Sequence, residues 1–574
     1  MKAGTGLVVI ILTAASICEA KVDILSIVQS IEDDTIEDIV VGKGDMIHGY
    51  YTYETFWSII DKLRAQYPQY ISQNITFGNS YSGLPLNGFF LGKQAGTIQS
   101  QTGKATILID SSHHAREATS FEILLLIFMK ELSHLAKNDQ SADVYDTASL
   151  LIYPVVNVDG VIEINKNYAQ YNQRRKNMRK IGCDRQVDDG VDINRNYDVK
   201  FDKYNQNTIE KCSDEYHGEK AFSEPETRAV KDMINEYPNI FSALNLHCYG
   251  NLWIHPYNFL EKNEKFSMET NQPALYKLYK DFIDTAKFPK GAAIGQAVDI
   301  IDYSAQGEAS DWMALKKNIF AWSPELGAEG ITNDDFYVGP SDQRKTVDAQ
   351  YPIIKQLIDR HSLTLAITGV EKTYIKGNNS VVLFNIDNLS YAKMISGYAK
   401  VSINTKVGFE NSVVMKPKIV SATLEVDTSK VADSIDVERR LNIDLDRLSS
   451  GYLRLELEDQ TALYLSLLAN RISITYHGKE VLQPLTENQE YFIDSQIMLR
   501  GSMNNRTIEG RIYIGAIVIV IMFFVLTLGP RVARQTCCGQ TIVNKQYFAE
   551  KDPAEIQMAE EVSDLQQRKD SDGI

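Results

Sequence analysis

One short stretch constrains this chain more than any other: a strand-like apolar run followed directly by a histidine and a glutamate three residues apart. Ala105 to Ile109 form the run, and His114 and Glu117 come just after it. If the chain turns helically there, both side chains face the same point. Catalytic zinc sites commonly take three protein ligands and leave a fourth position to water, so the pair predicts a third ligand elsewhere.

His247 is the candidate for that third ligand. It ends the strand-like run 241–247, which is too apolar to hold a histidine without a polar partner. Two simpler interpretations stay open at this point. A His-x-x-Glu pair usually means two solvated residues on a helix, and His247 alone is more often a hydrogen-bonded core histidine.

Strand-like and helix-like segments alternate through the first part of the chain. The helical patterns cover 53–65, 120–136 and 227–234, the last entered through Pro225, and the strand patterns cover 105–109, 149–156 and 241–247. This alternation predicts an α/β domain with a mixed, largely parallel sheet flanked by helices. Active sites of such sheets gather at the carboxyl ends of the strands, where His114 and His247 fall.

The pattern changes after Asp359. Short strand-like segments separated by Gly, Asn, Asp or Ser occupy 381–386, 398–404, 419–426, 452–457 and 472–476. They predict a small β-sandwich over residues 365–500 that contains no catalytic residues. Its expected role is in folding, in recognition or in spacing from a membrane.

Two apolar segments predict a secreted-side protein with a membrane anchor. Residues 1–20 resemble a signal peptide, followed by an acidic leader over 21–46. Ile512 to Leu528 is an uncharged apolar run within a predicted transmembrane helix, 512–530, although a buried core helix is the alternative. The expected topology is single-pass type I, with the catalytic domain extracellular or lumenal and residues 531–574 as a cytoplasmic tail.

Composition agrees with a folded, extracytoplasmic protein. The 574 residues are 44% hydrophobic and 23% charged, which is typical of globular chains. The net charge of -16 argues against binding to nucleic acid, which needs a basic surface. Glycosylation sequons, which also occur by chance, begin at Asn74, Asn378, Asn388 and Asn505.

A metal-bound water is a poor nucleophile unless a base takes its proton, and Glu325 at the end of a strand-like run is the candidate base. Asn194 and Arg195 follow Asp192 in a short polar segment. Because arginine can hold a carboxylate through two hydrogen bonds, this pair suits a substrate with a free carboxyl terminus. The alternatives are a helix cap or surface carboxylate for Glu325, and an ordinary surface ion pair for the polar segment.

Taken together, these motifs closely resemble the zinc metallocarboxypeptidases of the pancreatic carboxypeptidase A and B type, over about residues 47 to 360. The resemblance implies a catalytic domain at 47–362 with the carboxypeptidase fold, holding one Zn²⁺. It also implies a role for each matched residue: zinc ligands His114, Glu117 and His247; general base Glu325; Arg175 polarising the scissile carbonyl; Asn194, Arg195 and Tyr303 binding the terminal carboxylate; Arg116 and Tyr249 as further substrate-binding residues; and Asp192 orienting a zinc histidine.

The same resemblance places a disulfide between Cys183 and Cys212, since the family's disulfide brackets the Asn-Arg segment. Cys248, directly after His247, is expected to be a small buried residue. At the position that governs side-chain preference the chain has Ser310, so a neutral or broad preference is expected. Asp302 or Glu308 could instead attract Lys or Arg, or both could be solvated loop acids.

The resulting expectation is a membrane-tethered zinc carboxypeptidase that removes single amino acids from the carboxyl ends of peptides or proteins. A catalytically silent receptor or adhesion protein that reuses the fold is the main alternative. An enzyme acting on an unusual amide, such as a branched or cell-wall peptide, is a third. The intact Asn194, Arg195 and Tyr303 set favours an ordinary chain end.

Overall fold

The structure is a computed structural model, and it describes the part of the chain that carries the predicted catalytic motifs almost completely. The described residues are 46–47, 50–201, 206–262, 264, 266–329, 336–376, 379–393, 399–403, 419–426, 447, 450–457, 472–476, 479–480 and 482–483. The signal peptide, nearly all of the acidic leader, Asn378, Asn505, the predicted span at 512–530 and the tail lie outside these residues.

A mixed sheet of eight strands forms the centre of the first domain. A short antiparallel pair, β1 (Met46–Ile47) and β2 (Tyr50–Tyr51), precedes it. The strands of the main sheet are β3 (Ile75–Asn79), β4 (Pro85–Leu91), β5 (Ala105–Ser111), β6 (Ala148–Tyr153), β7 (Ile240–Cys248), β8 (Leu252–Ile254), β9 (Ala293–Gly295) and β10 (Phe320–Leu326).

The strand order is β3-β4-β6-β5-β7-β10-β8-β9, and the four central strands β6, β5, β7 and β10 run parallel. Antiparallel pairs join β3 to β4, β4 to β6 and β8 to β10. Every residue of β5 is buried, as expected for a parallel strand covered on both faces. The prediction of a mixed α/β sheet is therefore confirmed.

Helices cover the sheet. The α-helices span Tyr53–Gln66, Ala118–Lys137, Val158–Lys166, Tyr168–Tyr171, Gln206–Ile209, Pro225–Glu236, Met268–Asn271, Pro273–Thr285, Ala297–Ile300, Ala309–Lys317 and Pro340–Asp359. Short 3-10 helices span Ile98–Gln101, Gln140–Asp146, Gln186–Asp188 and Ile193–Arg195. Pro225 occupies the first turn of its helix, as predicted. The helix Ala118–Lys137 is buried over most of its length and ends at Asn138, whose backbone is left-handed.

Further strands follow the last of these helices. They are β11 (Leu365–Lys376), β12 (Asn379–Asn388), β13 (Ala399–Ile403), β14 (Ile419–Val426), β15 (Ser450–Leu457), β16 (Ile472–Tyr476), β17 (Lys479–Glu480) and β18 (Leu482–Gln483). One sheet has the order β14-β15-β12-β11-β18 and another has the order β13-β16-β17. Strands form at all five predicted places, whereas the packing of two sheets as a sandwich stays a prediction.

Within the described ranges, no helix combines the length and the apolar character needed to cross a membrane. Ile512 to Leu528, the run that suggests a span, is outside those ranges.

The region after residue 365 contacts the first domain through Tyr391. This side chain is buried, its hydroxyl donates to Asp281 Oδ2 at 2.7 Å, and its ring meets Phe320 edge-on with centroids 5.4 Å apart. Leu365 and Ile386 belong to the same buried cluster. The first domain therefore completes its core with residues from the following β region.

We expect Tyr391→Ala to lower the free energy of unfolding by about 3 to 5 kcal/mol, because it empties a buried aromatic site. The matched control Tyr391→Phe keeps the ring and loses only the hydroxyl contacts, so it should cost about 1 kcal/mol. Urea denaturation followed by tryptophan fluorescence measures both. Equal losses in the two variants would show that the ring does not contribute to the core.

Candidate metal and substrate site

Two neighbouring parallel strands bring the three predicted metal ligands together. His114 lies just after β5, and His247 is near the end of β7. Glu117 Oε1 is 2.6 Å from His114 Nδ1, and Glu117 Oε2 is 2.9 Å from His247 Nδ1. One ligand atom from each residue lies within 4.8 Å of the others, and all three residues are buried.

The turn between β5 and the helix Ala118–Lys137 positions the first two ligands. The backbone N–H of Glu117 donates to the carbonyl of His114 at 3.2 Å, which closes a single turn of the predicted kind. Ala115 N–H donates to the carbonyl of Arg175 at 3.2 Å and fixes the turn against a distant loop. Glu117 stands immediately before the helix, so its side chain is held at the start of a rigid element.

The donor set fits zinc. Two imidazole nitrogens and one carboxylate are a common protein contribution to a catalytic zinc ion, which keeps one further position open. Burial alone would raise the pKa of Glu117, but the two imidazoles outweigh it and hold the pKa below its ordinary value. The carboxylate is therefore ionised, as a metal ligand must be.

Asp192 holds His114 from the opposite side of the ring. Its Oδ1 lies 3.2 Å from His114 Nε2, and its Oδ2 accepts from Arg175 Nε at 2.8 Å. Burial opposes ionisation of Asp192, yet Arg175 and His114 keep its pKa well below the ordinary value. An ionised Asp192 favours a proton on Nε2, so Nδ1 of His114 is left with its lone pair for a cation. These contacts are the ones that the predicted role of Asp192 requires.

His113 is a neighbour of the three clustered ligands and is not one of them. Its Nε2 lies 2.9 Å from the hydroxyl of Tyr197, and its ring stacks on His247 with centroids 5.6 Å apart. His113 thus supports the ring of the predicted ligand His247 by stacking on it.

Glu325 lies on β10 beside β7, where it pairs in register with His247. Its half-buried side chain lines the pocket next to the ligands. Removal from bulk water and the negative charge of Glu117 raise the pKa of Glu325 to about 7. A carboxyl group with a pKa in this range can take up a proton and release it again at neutral pH.

The predicted carboxylate clamp also assembles. Asn194 and Arg195 lie in the short helix Ile193–Arg195, and Arg195 Nη2 donates to the Tyr303 hydroxyl at 2.6 Å. Tyr303 in turn donates to Glu215. Gly307 packs against the carbonyl of Arg195 so closely that a Cβ there would lie 2.0 Å from it, so only glycine fits.

These groups face one pocket of about 400 Å³. Its lining residues are His114, Arg116, Arg175, Asn194, Arg195, Asp214, Glu215, His247, Ile254, Asn258, Ala297, Ile301, Tyr303, Ala305, Glu308, Ser323 and Glu325. Arg116 stands at its edge, with Nη1 3.3 Å from Asp214 Oδ2 and its guanidinium over the Phe336 ring. The pocket therefore joins two of the three predicted metal ligands to the predicted base and the predicted clamp.

Two predicted substrate-binding residues fall outside this lining. Tyr249 lines a smaller neighbouring pocket, and its ring packs near Phe336. Ser310 is fully buried, and its hydroxyl donates to Glu308 Oε2 at 2.6 Å. Of the two acids that could attract Lys or Arg, Glu308 lines the pocket and Asp302 does not. The sequence feature that points to Glu308 is its position three residues before Asp311. From that position it caps the helix Ala309–Lys317.

The predicted disulfide is present between Cys183 and Cys212, while Cys248 is free and buried. Of the sequon residues described, Asn74 is exposed. Asn388 is buried, and its Nδ2 donates to the carbonyl of Ala392 at 2.8 Å. A glycan on that nitrogen would not fit the folded chain.

Several known proteins are similar to this chain. Carboxypeptidase A2 of Rattus norvegicus is 27% identical over 268 residues, 46% of this chain and 59% of the relative. Carboxypeptidase A1 of Bos taurus is 26% identical, with 49% and 63% covered, and carboxypeptidase B of Astacus astacus is 28% identical, with 49% and 87% covered. The match to the two mammalian relatives thus spans less than two thirds of their length.

Among solved structures, the carboxypeptidase A of Helicoverpa armigera is 21% identical with a TM-score of 0.46, covering 59% of this chain and 80% of that one. The sequence profile described as zinc carboxypeptidase matches residues 57–351, which contain every metal, base and clamp residue described above. The chain belongs to the zinc carboxypeptidase family.

Proposed function

We propose that the protein is a zinc-dependent carboxypeptidase that hydrolyses the last peptide bond of peptides or proteins and releases single amino acids. The observation that carries this proposal is the shared pocket, which is lined by the two histidines of the buried His-Glu-His set, a carboxyl group with a raised pKa and an arginine clamp. When bound, zinc would supply Lewis acidity to the scissile carbonyl and lower the pKa of a water molecule.

The residues of the chain would divide the remaining work. Arg195, with Asn194 and the Tyr303 hydroxyl, holds the terminal carboxylate and fixes which bond lies over the ligands. Glu325 takes the proton of the attacking water and passes it to the leaving amine. Arg175, kept in place by Asp192, donates N–H groups toward the negative charge that develops on the carbonyl oxygen.

A silent receptor or adhesion protein remains the alternative, and the intact base and clamp argue against it. A protein that only binds peptides gains nothing from a half-buried carboxyl group beside the ligands with a pKa of about 7. The clamp likewise favours an ordinary chain end over a branched or cell-wall amide.

The proposal includes a place for the enzyme in the cell. A signal peptide at 1–20, a single span at 512–530 and a cytoplasmic tail at 531–574 would hold the catalytic domain on the extracellular or lumenal side. The Cys183–Cys212 disulfide supports an oxidising compartment. Exposed Asn74, with Asn378 and Asn505, would carry glycans, but the buried Asn388 would not.

Glu325→Gln should lower kcat by about 10² to 10⁴ fold, because an amide cannot take the proton of the water. Hydrolysis of peptides with free carboxyl ends measures the loss, and metal analysis of the same samples serves as the control. Zinc content should stay at one ion per chain, since Glu325 is not among the three clustered ligands. Turnover at the rate of the unmodified enzyme would disprove the assigned base.

Arg195→Ala should lower kcat/KM for peptides with a free carboxyl terminus by about 30 to 5,000 fold, or about 2 to 5 kcal/mol, because it removes one partner of a buried charge pair. Peptides with an amidated end should be poor substrates of both proteins. Arg185→Ala is the matched control, since Arg185 is exposed and pairs with Asp188. An unchanged kcat/KM in the Arg195 variant would refute the clamp.

Deletion of residues 512–530 should move the protein from the membrane fraction of expressing eukaryotic cells into the medium, because the deletion removes the proposed span. Fractionation and immunoblotting measure the distribution, and a deletion of equal length in the proposed tail is the control. If the full chain is already in the medium, the anchor does not exist.

A further inference from the structure

Glu308 is a buried carboxylate in the wall of the pocket, and none of the lysines or arginines in the described residues forms an ion pair with it. We propose that Glu308 determines specificity and that the substrates end in lysine or arginine. The inference rests on the proposed carboxypeptidase function and names its substrate class. It departs from the neutral or broad preference that Ser310 suggests and takes up the alternative that Glu308 attracts Lys or Arg.

Neutral donors hold both oxygens of Glu308. Oε1 accepts from Ser323 Oγ at 2.5 Å, and Oε2 accepts from Ser310 Oγ at 2.6 Å and from the backbone N–H of Asp311 at 3.1 Å. Asn258 Nδ2 adds a longer contact at 3.4 Å. Burial opposes ionisation, but the hydrogen bonds from Ser310, Ser323 and Asp311, together with the nearby His247, outweigh it and lower the pKa of Glu308. The donors that surround both oxygens fit the ionised form of the carboxyl group.

A capping role alone does not explain a glutamate here. Capping the helix Ala309–Lys317 needs one oxygen, and other helices of this chain are capped by the short side chains of Thr52, Asp139, Asn157 and Ser267. The longer side chain reaches the pocket wall, where burying an unpaired charge costs free energy. A cationic substrate would supply the missing partner and offset that cost.

The rest of the pocket suits a long basic side chain. Ile254, Ala297, Ile301 and Ala305 line it with apolar surface, which matches the methylene stem of lysine or arginine. Lysine and arginine bury such stems readily while their charged heads seek a polar partner.

The terminal carboxylate of the substrate is fixed in relation to Glu308. Asn194, a member of the clamp, accepts a hydrogen bond through Oδ1 from the backbone N–H of Ala309 at 3.0 Å. Ala309 directly follows Glu308. The clamp and the proposed specificity residue are thus joined at the start of one helix.

The other nearby acids already have partners. Asp214 pairs with Arg116 at the edge of the pocket, and Glu215 accepts from Tyr303. Asp302 is exposed over 71% of its side chain and pairs with Lys262 at 3.1 Å, outside the pocket lining. Glu325, the remaining acid of the lining, is the proposed base and lies in register with His247. Glu308 is therefore the acid of the lining that has neither an ion-pair partner nor another proposed role.

The test compares peptides that differ only in the last residue: arginine, lysine or norleucine, which has the four-carbon stem of lysine without the ammonium group. For the unmodified protein we expect kcat/KM for arginine or lysine ends to exceed that for norleucine by at least about 30 fold, the range of a buried charge pair. Glu308→Gln should bring this ratio to within about threefold while norleucine ends are still removed. Asp302→Asn, the matched control, should leave the ratio unchanged.

Two outcomes would overturn the inference: equal hydrolysis of norleucine and arginine ends by the unmodified protein, or a preference that survives in a folded Glu308→Gln. The first needs no variant, so it decides the question even if the variant fails to fold. If the protein hydrolyses no peptide at all, the proposed function fails instead. Calorimetry with free arginine and free norleucine then tests Glu308 by itself, and tighter binding of arginine is the expected result.

Discussion

The site depends on the pairing of one carboxylate with two imidazoles, each held by a different oxygen of Glu117. None of these buried polar groups could stay in the interior alone, because an unpaired charge there would cost several kcal/mol. The pairing is possible because β5 and β7 are adjacent and parallel, so the segments that follow β5 and end β7 meet at the same edge of the sheet. Packing of the central sheet thus sets the distance between His114 and His247.

Charged residues around the Glu117 set are also paired with opposite charges. Asp192 neutralises Arg175 and orients His114 at the same time, so one buried acid serves the ligand set and the proposed polarising arginine. Arg195 is balanced by the Tyr303 and Glu215 pair at the opposite side of the pocket. These contacts hold the guanidinium in place before a peptide binds. A substrate carboxylate would then compete with them.

The sequence predicts the parts of this molecule that follow from local pattern. The buried strands that carry the ligands, the helix after Pro225 and the strands 419–426 and 472–476 follow from runs of apolar residues, and the clamp and ligand residues follow from motifs. The short strands β8 and β9 were missed because three residues carry too little periodicity. The sequence does not show which of Glu308 and Ser310 lines the pocket. Their orientations depend on how the helix Ala309–Lys317 packs against the rest of the fold, and spacing along the chain does not encode that packing.

The start of the helix Ala309–Lys317 couples the proposed preference for the last side chain to the proposed binding of the terminal carboxylate. Glu308 caps the helix, Ala309 donates to Asn194 of the clamp, and Gly307 packs on the carbonyl of Arg195. Any change of residue 308 that moved the helix would therefore also move the groups that hold the terminal carboxylate. A change of preference by substitution at Ser310, whose side chain is buried under Glu308, would disturb the clamp less directly. In the proposed enzyme, binding of the substrate's last side chain and alignment of the scissile bond would share one rigid support, so a substitution that changes the preference would affect kcat as well as KM.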